Sequence, residues 1–163
     1  MKILRELTEG EKCWLAATLD FESSLTLRKS KPTKVYPNGG WQVYFQLSCI
    51  DFPLVKRAFD LIQHGSIYHE NRSRYRLHYQ DCWKLVVCSE GLRWLLPQIY
   101  PFVIAKRKQI DMILEALTIL RRRSVRRNGG YYQCQFKEER LKELAEQMKR
   151  ANQKGLSDED SLD

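Results

Sequence analysis

The residues best placed to do chemistry lie in LAATLDFESSLTL, Leu15 to Leu27, where a run of small apolar residues ends in two carboxylates, Asp20 and Glu22. Beyond them polar and apolar residues alternate, as in a strand. One acid, Asp20, closes a helix, which leaves Glu22 free for chemistry. The remainder of the chain reads as a device for setting that second acid against a long polyanion.

At 163 residues the chain fits one domain with a sizeable core. A hydrophobic content of 43%, with 11% aromatic, is that of a folded protein and argues against disorder. The charge is less ordinary: 28 Lys+Arg against 20 Asp+Glu give +8, although the last seven residues alone carry four carboxylates. Such a field suits nucleic acid or an anionic membrane; the plainer alternative is a basic surface with no polyanionic partner. Cys13, Cys49, Cys82, Cys88 and Cys134 are odd in number and never form a C-x-x-C pair, which argues against a disulfide framework or a zinc site. No signal-like N-terminus and no apolar run near the roughly 18 residues of a membrane helix are present, so an intracellular protein is expected, of organellar, bacterial or phage origin alike. A membrane-surface role is disfavoured because the polar faces alternate at strand period.

Around the two acids the elements can be placed. Thr8 and Glu11 stand in the T-x-x-E relation of a capping box, so a first helix is expected from Glu9 to Asp20. Ala16 and Ala17 are small enough for another helix to approach closely, or for ordinary core packing. From Ser23 the period becomes two, with Ser24, Thr26, Arg28 and Ser30 opposite Leu25 and Leu27. After KPTKVYPNGG it resumes, with Trp41, Val43, Phe45 and Leu47 opposite Gln42, Tyr44, Gln46 and Ser48, which predicts a hairpin. Its polar face carries amide, guanidinium and phenol groups that can read base edges in a major groove, or that are simply solvated.

Asp51 reads as an N-cap and Pro53 as first turn of a packing helix through Gln63. From Gly65 to Cys88 the chain is strand-like again, in two long strands or three short ones, with a turn near 71–73 and with Arg72, Arg74, Arg76 and His78 added to the sheet. His64, His69 and His78 lack metal-ligand spacing and read as surface or phosphate-contacting groups. Ser89 is expected to cap a short helix stopping near Pro97, and Pro101 to open a segment whose buried stripe is Ile110, Ile113, Leu114, Leu117 and Leu120. Lys106, Arg107 and Lys108 crowd its first turns, where cations oppose the helix dipole, which points to an anion nearby. After RRRSVRR, a charged amphipathic helix is expected from about Lys137 to Asn152, followed by the acidic tail SDEDSLD. There is no repeat, and no Walker, G-x-G-x-x-G, G-x-S-x-G or H-E-x-x-H pattern.

LAATLDFES at the head of this element order resembles the LAGLIDADG homing endonucleases. GSIY at 65–68 and YPFVIAKRKQ at 100–109 are similar to that family's later strand and basic-segment signatures, and the three together span most of residues 12 to 120. The resemblance implies an α+β fold with an αββαββα core, an antiparallel DNA-binding sheet and extra C-terminal helices. It implies an endonuclease domain over 1–125, a helical extension over 126–155 and an acidic tail over 156–163.

Carried over residue by residue, the resemblance makes Glu22 the metal-binding carboxylate, with the backbone carbonyl of Phe21 as a second ligand, and Lys106 the catalytic cation by the scissile phosphate. The implied cofactor is Mg2+, or another divalent cation such as Mn2+, with no organic cofactor. One motif per chain implies a homodimer on double-stranded DNA, packed through Trp14, Ala16, Ala17 and Asp20, and a partly palindromic target. Arg28, Ser30, Gln42, Tyr44, Gln46, Tyr68, Glu70, Arg72, Arg74, Arg76 and Lys108 are then the DNA-binding residues. The chain departs from the family pattern at Ala17, Phe21, Ser23 and Cys49; Cys49 replaces an amide near the water, a role Gln46 could take. The activity implied is that of an intron- or intein-associated double-strand endonuclease; the alternative is a relative that binds nucleic acid without cutting it, as an RNA-splicing maturase or a regulator.

Overall fold

The capping box forms as the spacing predicts. Thr8 Oγ1 accepts from the Glu11 amide at 3.4 Å and Glu11 Oε2 accepts from the Thr8 amide at 2.8 Å, which starts α1 (Glu9–Glu22). Hydrogen bonds from the Arg5 guanidinium and the Thr8 amide pull the Glu11 carboxyl down to about 2. The computed structural model describes residues 5–32, 34, 39–71, 80–121, 126–127, 130–131 and 135–154. Helix α1 runs two residues beyond the expected end at Asp20. Ser23 follows it in ordinary extended geometry, φ −125° and ψ 166°, and its hydroxyl donates to the Leu19 carbonyl at 2.6 Å, so the last turn is closed without a glycine.

After α1 come β1 (Ser23–Lys29), β2 (Trp41–Cys49), α2 (Phe52–Ile62), β3 (Ser66–Glu70), β4 (Cys82–Cys88) and α3 (Ser89–Ile99). A 3-10 turn at Tyr100–Phe102, α4 (Arg107–Arg121), a small hairpin of β5 (Arg126–Arg127) and β6 (Gly130–Tyr131), and α5 (Gln135–Lys154) complete the described chain. Strands β1 to β4 form an antiparallel sheet in the order β1-β2-β4-β3. This is the α+β architecture expected, with two strands described between Gly65 and Cys88; Arg72, Arg74, Arg76, His78 and the 156–163 tail lie outside the described residues.

The predicted alternation decides which face of the sheet is dry. Leu25 pairs with Phe45 and Leu27 with Val43, while Phe45 faces Val87 and Leu47 faces Leu85 across β4; all are buried. Leu19, Leu95, Leu96, Ile110 and Ile113 from α1, α3 and α4 belong to the same core, as do Leu141, Leu144 and Met148 of α5. Helix α2 starts at Asp51 as expected, but the Asp51 side chain makes no capping bond, and Gln63 ends the helix in the left-handed region with φ 53°. No helix among the described residues is long and apolar enough to cross a membrane.

Two expectations about the later helices are corrected. The N-cap of α3 is Cys88, not Ser89, and the helix continues through Pro97 to Ile99. Proline forfeits one hydrogen bond in the last turns, but the stripe Leu92, Leu95, Leu96 and Ile99 is buried almost completely, and that burial outweighs the lost bond. Pro101 opens the 3-10 turn instead of a helix; Val103 is extended, and α4 begins only at Arg107.

Helix α3 lies against β4 through Gly91, where an added Cβ would come within 2.5 Å of Val87 Cγ1 and 2.8 Å of His64 Cβ. On an open helix surface Gly→Ala stabilises by about 1 kcal/mol. Here Gly91→Ala is expected to destabilise by about 1–3 kcal/mol because both obstructing atoms sit on short, stiff side chains. Urea unfolding measures this; an unchanged or raised midpoint would contradict the close approach.

Candidate active site

The carboxyl end of α1 meets the amino end of α4, and the two ends cap each other. Asp20 Oδ2 accepts from the Ile104 amide at 2.8 Å, and its Oδ1 accepts from the Lys106 amide at 3.0 Å. In return Lys106 Nζ donates to the Leu19 carbonyl at 2.7 Å and to the Ser23 carbonyl at 2.5 Å. A helix C-terminus carries partial negative charge and unpaired carbonyls, so an ammonium is favoured there by about 0.3–2 kcal/mol, more as it is desolvated. Burial pushes the Lys106 ammonium below its ordinary pKa, while Asp20 and Glu22 pull it back up. The cluster read as Lys106, Arg107 and Lys108 therefore divides. Lys106 precedes α4 and faces α1; Arg107 Nε is tied to the Val103 carbonyl at 2.6 Å; Lys108 is exposed.

Glu22 sits in the last turn of α1, exposed, and among the described residues it makes no hydrogen bond or ion pair, although it contributes to the field at Lys106. The two acids thus separate as the spacing suggests, one consumed by structure and one not, though both are within the helix. Phe21 between them is 85% exposed, and Ile104 beside Asp20 is 83% exposed. No group of three His, Cys, Asp or Glu side chains able to hold a metal ion exists among the described residues. The described residues of one chain therefore offer Glu22 and neighbouring backbone oxygens there, without a third carboxylate or other ligand side chain grouped with them.

The polar face of the sheet begins two residues beyond Glu22. Ser24 pairs with Gln46, Thr26 with Tyr44 and Arg28 with Gln42, while Lys84 of β4 lies opposite both Ser48 and Tyr68. Arg28, Gln42, Tyr44, Gln46, Tyr68 and Glu70 therefore share the face away from the core, as the alternation predicts. Several are already positioned: the Arg28 guanidinium lies 4.9 Å from the Tyr44 ring centroid, and Gln46 Nε2 donates to Ser48 Oγ at 3.1 Å. Ser30 has a structural task as well, its hydroxyl accepting from the Gly40 amide at 2.9 Å just ahead of β2. Lys84 was missed by sequence reasoning. It donates to Glu70 Oε1 at 2.6 Å, and its position opposite the buried Leu85 and Val87 in CWKLVVC was the signal that could have found it. Cys49 falls on the core side, its sulfur accepting from the Asp51 amide at 3.4 Å.

The residues expected to pack against a partner helix are split by the turn of α1. Ala16 is fully buried in the chain's own core and cannot face another molecule; the neighbouring Ala17, about 100° further round the helix, is exposed together with Gly10 and Cys13. Both carboxylate oxygens of Asp20 are engaged within the chain. Trp14 is half-buried, with the Arg57 guanidinium 4.7 Å from its ring centroid. The His69 ring packs against Trp83 with centroids 4.6 Å apart and planes tilted by 48°, and its Nε2 lies 3.6 Å from Asp81.

No family model matches this sequence, and no curated protein sequence matches it. Solved structures do. The homing endonuclease I-CvuI, in complex with the I-CreI target, superposes with a TM-score of 0.67 at 14% identity, covering 88% of this chain and 82% of its own. An archaeal intron-encoded homing endonuclease complexed with DNA gives 0.66 at 16% identity, covering 88% of this chain and 84% of that one. The homing endonuclease I-TnaI gives 0.63 at 13% identity, covering 92% and 99%. Over most of its length the chain therefore has the fold of the LAGLIDADG homing endonucleases.

Because Asp20 satisfies two backbone donors at once, Asp20→Ala is expected to cost about 1–3 kcal/mol of stability. The urea midpoint should fall at constant m-value. A loss under about 0.5 kcal/mol would mean that water replaces the carboxylate at both amides.

Proposed function

We propose that this protein is a sequence-specific double-strand DNA endonuclease, acting as a homodimer with divalent metal ions in intron or intein homing. The observation that carries this reading is Glu22, an exposed carboxylate with no hydrogen bond among the described residues, at the end of α1 beside the polar face of a sheet in a fold shared with DNA-complexed homing endonucleases. The net charge of +8 suits the phosphate backbone.

A carboxylate and a backbone carbonyl are hard oxygen donors, so Glu22 and the Phe21 carbonyl fit Mg2+ or Mn2+ better than a softer ion. I-CvuI was solved with the I-CreI target in the presence of 2 mM Mg, that DNA not being cleaved, and with its own target in the presence of 2 mM Ca. Bound there, such ions would lower the pKa of the attacking water and neutralise charge on the phosphate. Glu22 alone is too small a donor set, and a two-fold partner supplies a second Glu22. The exposed face of α1, with Gly10, Cys13, Ala17 and Trp14, is where that partner packs, and Phe21 lies at its end; Ala16 takes no part. Arg28, Gln42, Tyr44, Gln46, Tyr68, Glu70 and Lys84 meet base edges in the major groove, and Lys108 meets phosphate. A good bidentate base contact discriminates by about 1–3 kcal/mol, so two such sheets specify a long, partly palindromic site.

Incubation with a library of duplex sites in Mg2+ is expected to give double-strand cleavage at one such site, by a species with the solution mass of two chains. Glu22→Gln is expected to abolish cutting and retain binding. Binding with no cleavage at any site would favour the non-cutting alternative; cutting by Glu22→Gln would mean that another carboxylate does the work.

A further inference from the structure

Lys106 has three N–H donors, and two of them are spent on carbonyls that straddle Glu22 in the chain. Leu19 lies three residues before Glu22, in the last full turn of α1, and Ser23 lies one residue after it, as the first residue of β1. The ammonium therefore pins the helix to the strand across the junction where Glu22 sits. The junction needs such a clamp. Ser23 leaves helical geometry at φ −125°, so the backbone changes direction there, and the Ser23 hydroxyl and the Lys106 ammonium both hold the Leu19 carbonyl. Lys106 is itself held in place from the other side, its amide bonded to Asp20 Oδ1 and its carbonyl receiving the Ile110 amide at 3.0 Å as the first bond of α4. A side chain engaged in this way, half-buried and pointing at backbone oxygens, is poorly disposed to approach a phosphate.

We infer that Lys106 is a positioning residue for Glu22: by binding the Leu19 and Ser23 carbonyls it fixes the helix-to-strand turn that aims the Glu22 carboxylate and the Phe21 carbonyl. The inference rests on the reading of Glu22 as the metal-binding carboxylate. It assigns Lys106 a task different from contact with the scissile phosphate, and it makes the charge at Lys106 act through geometry. Burial that lowers its pKa is compatible with this, since the clamp needs only two donors and a fixed amine.

Lys106→Met and Lys106→Gln in the full-length protein test this with two readouts. The first is hydrogen exchange of the amides of residues 20 to 24, without metal or DNA. Lys106→Met is expected to speed it by about tenfold or more, with Lys106→Gln, which keeps one N–H donor group, in between. The second is cleavage against Mn2+ concentration. The half-saturating concentration is expected to rise about 10–100-fold, as on loss of a group that orients a metal ligand, with the rate at saturation nearly restored. Unchanged exchange and unchanged half-saturation with a much lower saturating rate would overturn the inference in favour of a direct phosphate contact. If Lys106→Met does not fold, Lys106→Gln decides by the same readouts. If the wild-type protein cuts no DNA, the endonuclease reading fails by itself, and unchanged exchange in the variants would still overturn the clamp.

Discussion

The structure turns on one constraint: the end of α1 and the start of α4 are both helix termini with unpaired backbone groups, and they are brought face to face. Carbonyls left over at α1 and amides left over ahead of α4 have opposite polarity, and each end supplies the side chain that the other lacks. Asp20 accepts from two amides; Lys106 donates to two carbonyls. A hydrogen bond to a charged group contributes a net of about 1.5–3 kcal/mol, against about 0–1 kcal/mol for an exposed ion pair such as Lys56–Asp60. The mutual cap is thus the dominant polar contact at this corner. Its consequence is that Glu22, next to it, is the acid of α1's last turn left without a hydrogen bond among the described residues.

The sheet divides labour by face. One side is buried under α1, α3, α4 and α5; the other presents paired polar groups, among them Arg28 on Tyr44 and Lys84 on Glu70. Helix α5 secures the outer strand of this surface. Glu138 accepts from Lys29 at 2.6 Å and from the Trp41 indole at 2.9 Å, bridging a cross-strand pair, and Asn152 donates to the Leu25 carbonyl on the open edge of β1. Side chains already fixed by such contacts lose less conformational freedom on binding, which favours selective contacts over loose ones.

What could be read from the sequence was what has a period or a local rule. The capping box at Thr8, the strands from Ser23 and Trp41, and the start of α2 all follow from spacing within a few residues. The extension of α1 to Glu22 did not, because it depends on Lys106, more than eighty positions away, and on the Ser23 hydroxyl. Ala16 and Ala17 are identical letters, and only packing shows that the first faces the core and the second faces out. In the sequence Pro97 reads as a stop, whereas the burial of Leu95, Leu96 and Ile99 carries the helix past it. Glu22 stands out because it follows a helix-closing acid; Lys84 is harder to find because the apolar run CWKLVVC shows its two faces only once Leu85 and Val87 are seen to be buried.

A structure of the wild-type protein on its cleavage site with Ca2+ would test the mutual cap and its consequence most directly. The cap predicts that Lys106 Nζ stays on the Leu19 and Ser23 carbonyls while Glu22 from each of two copies holds an ion at the phosphates. Lys106 detached from both carbonyls and bound to a phosphate oxygen, with Glu22 turned away from the ions, would contradict it.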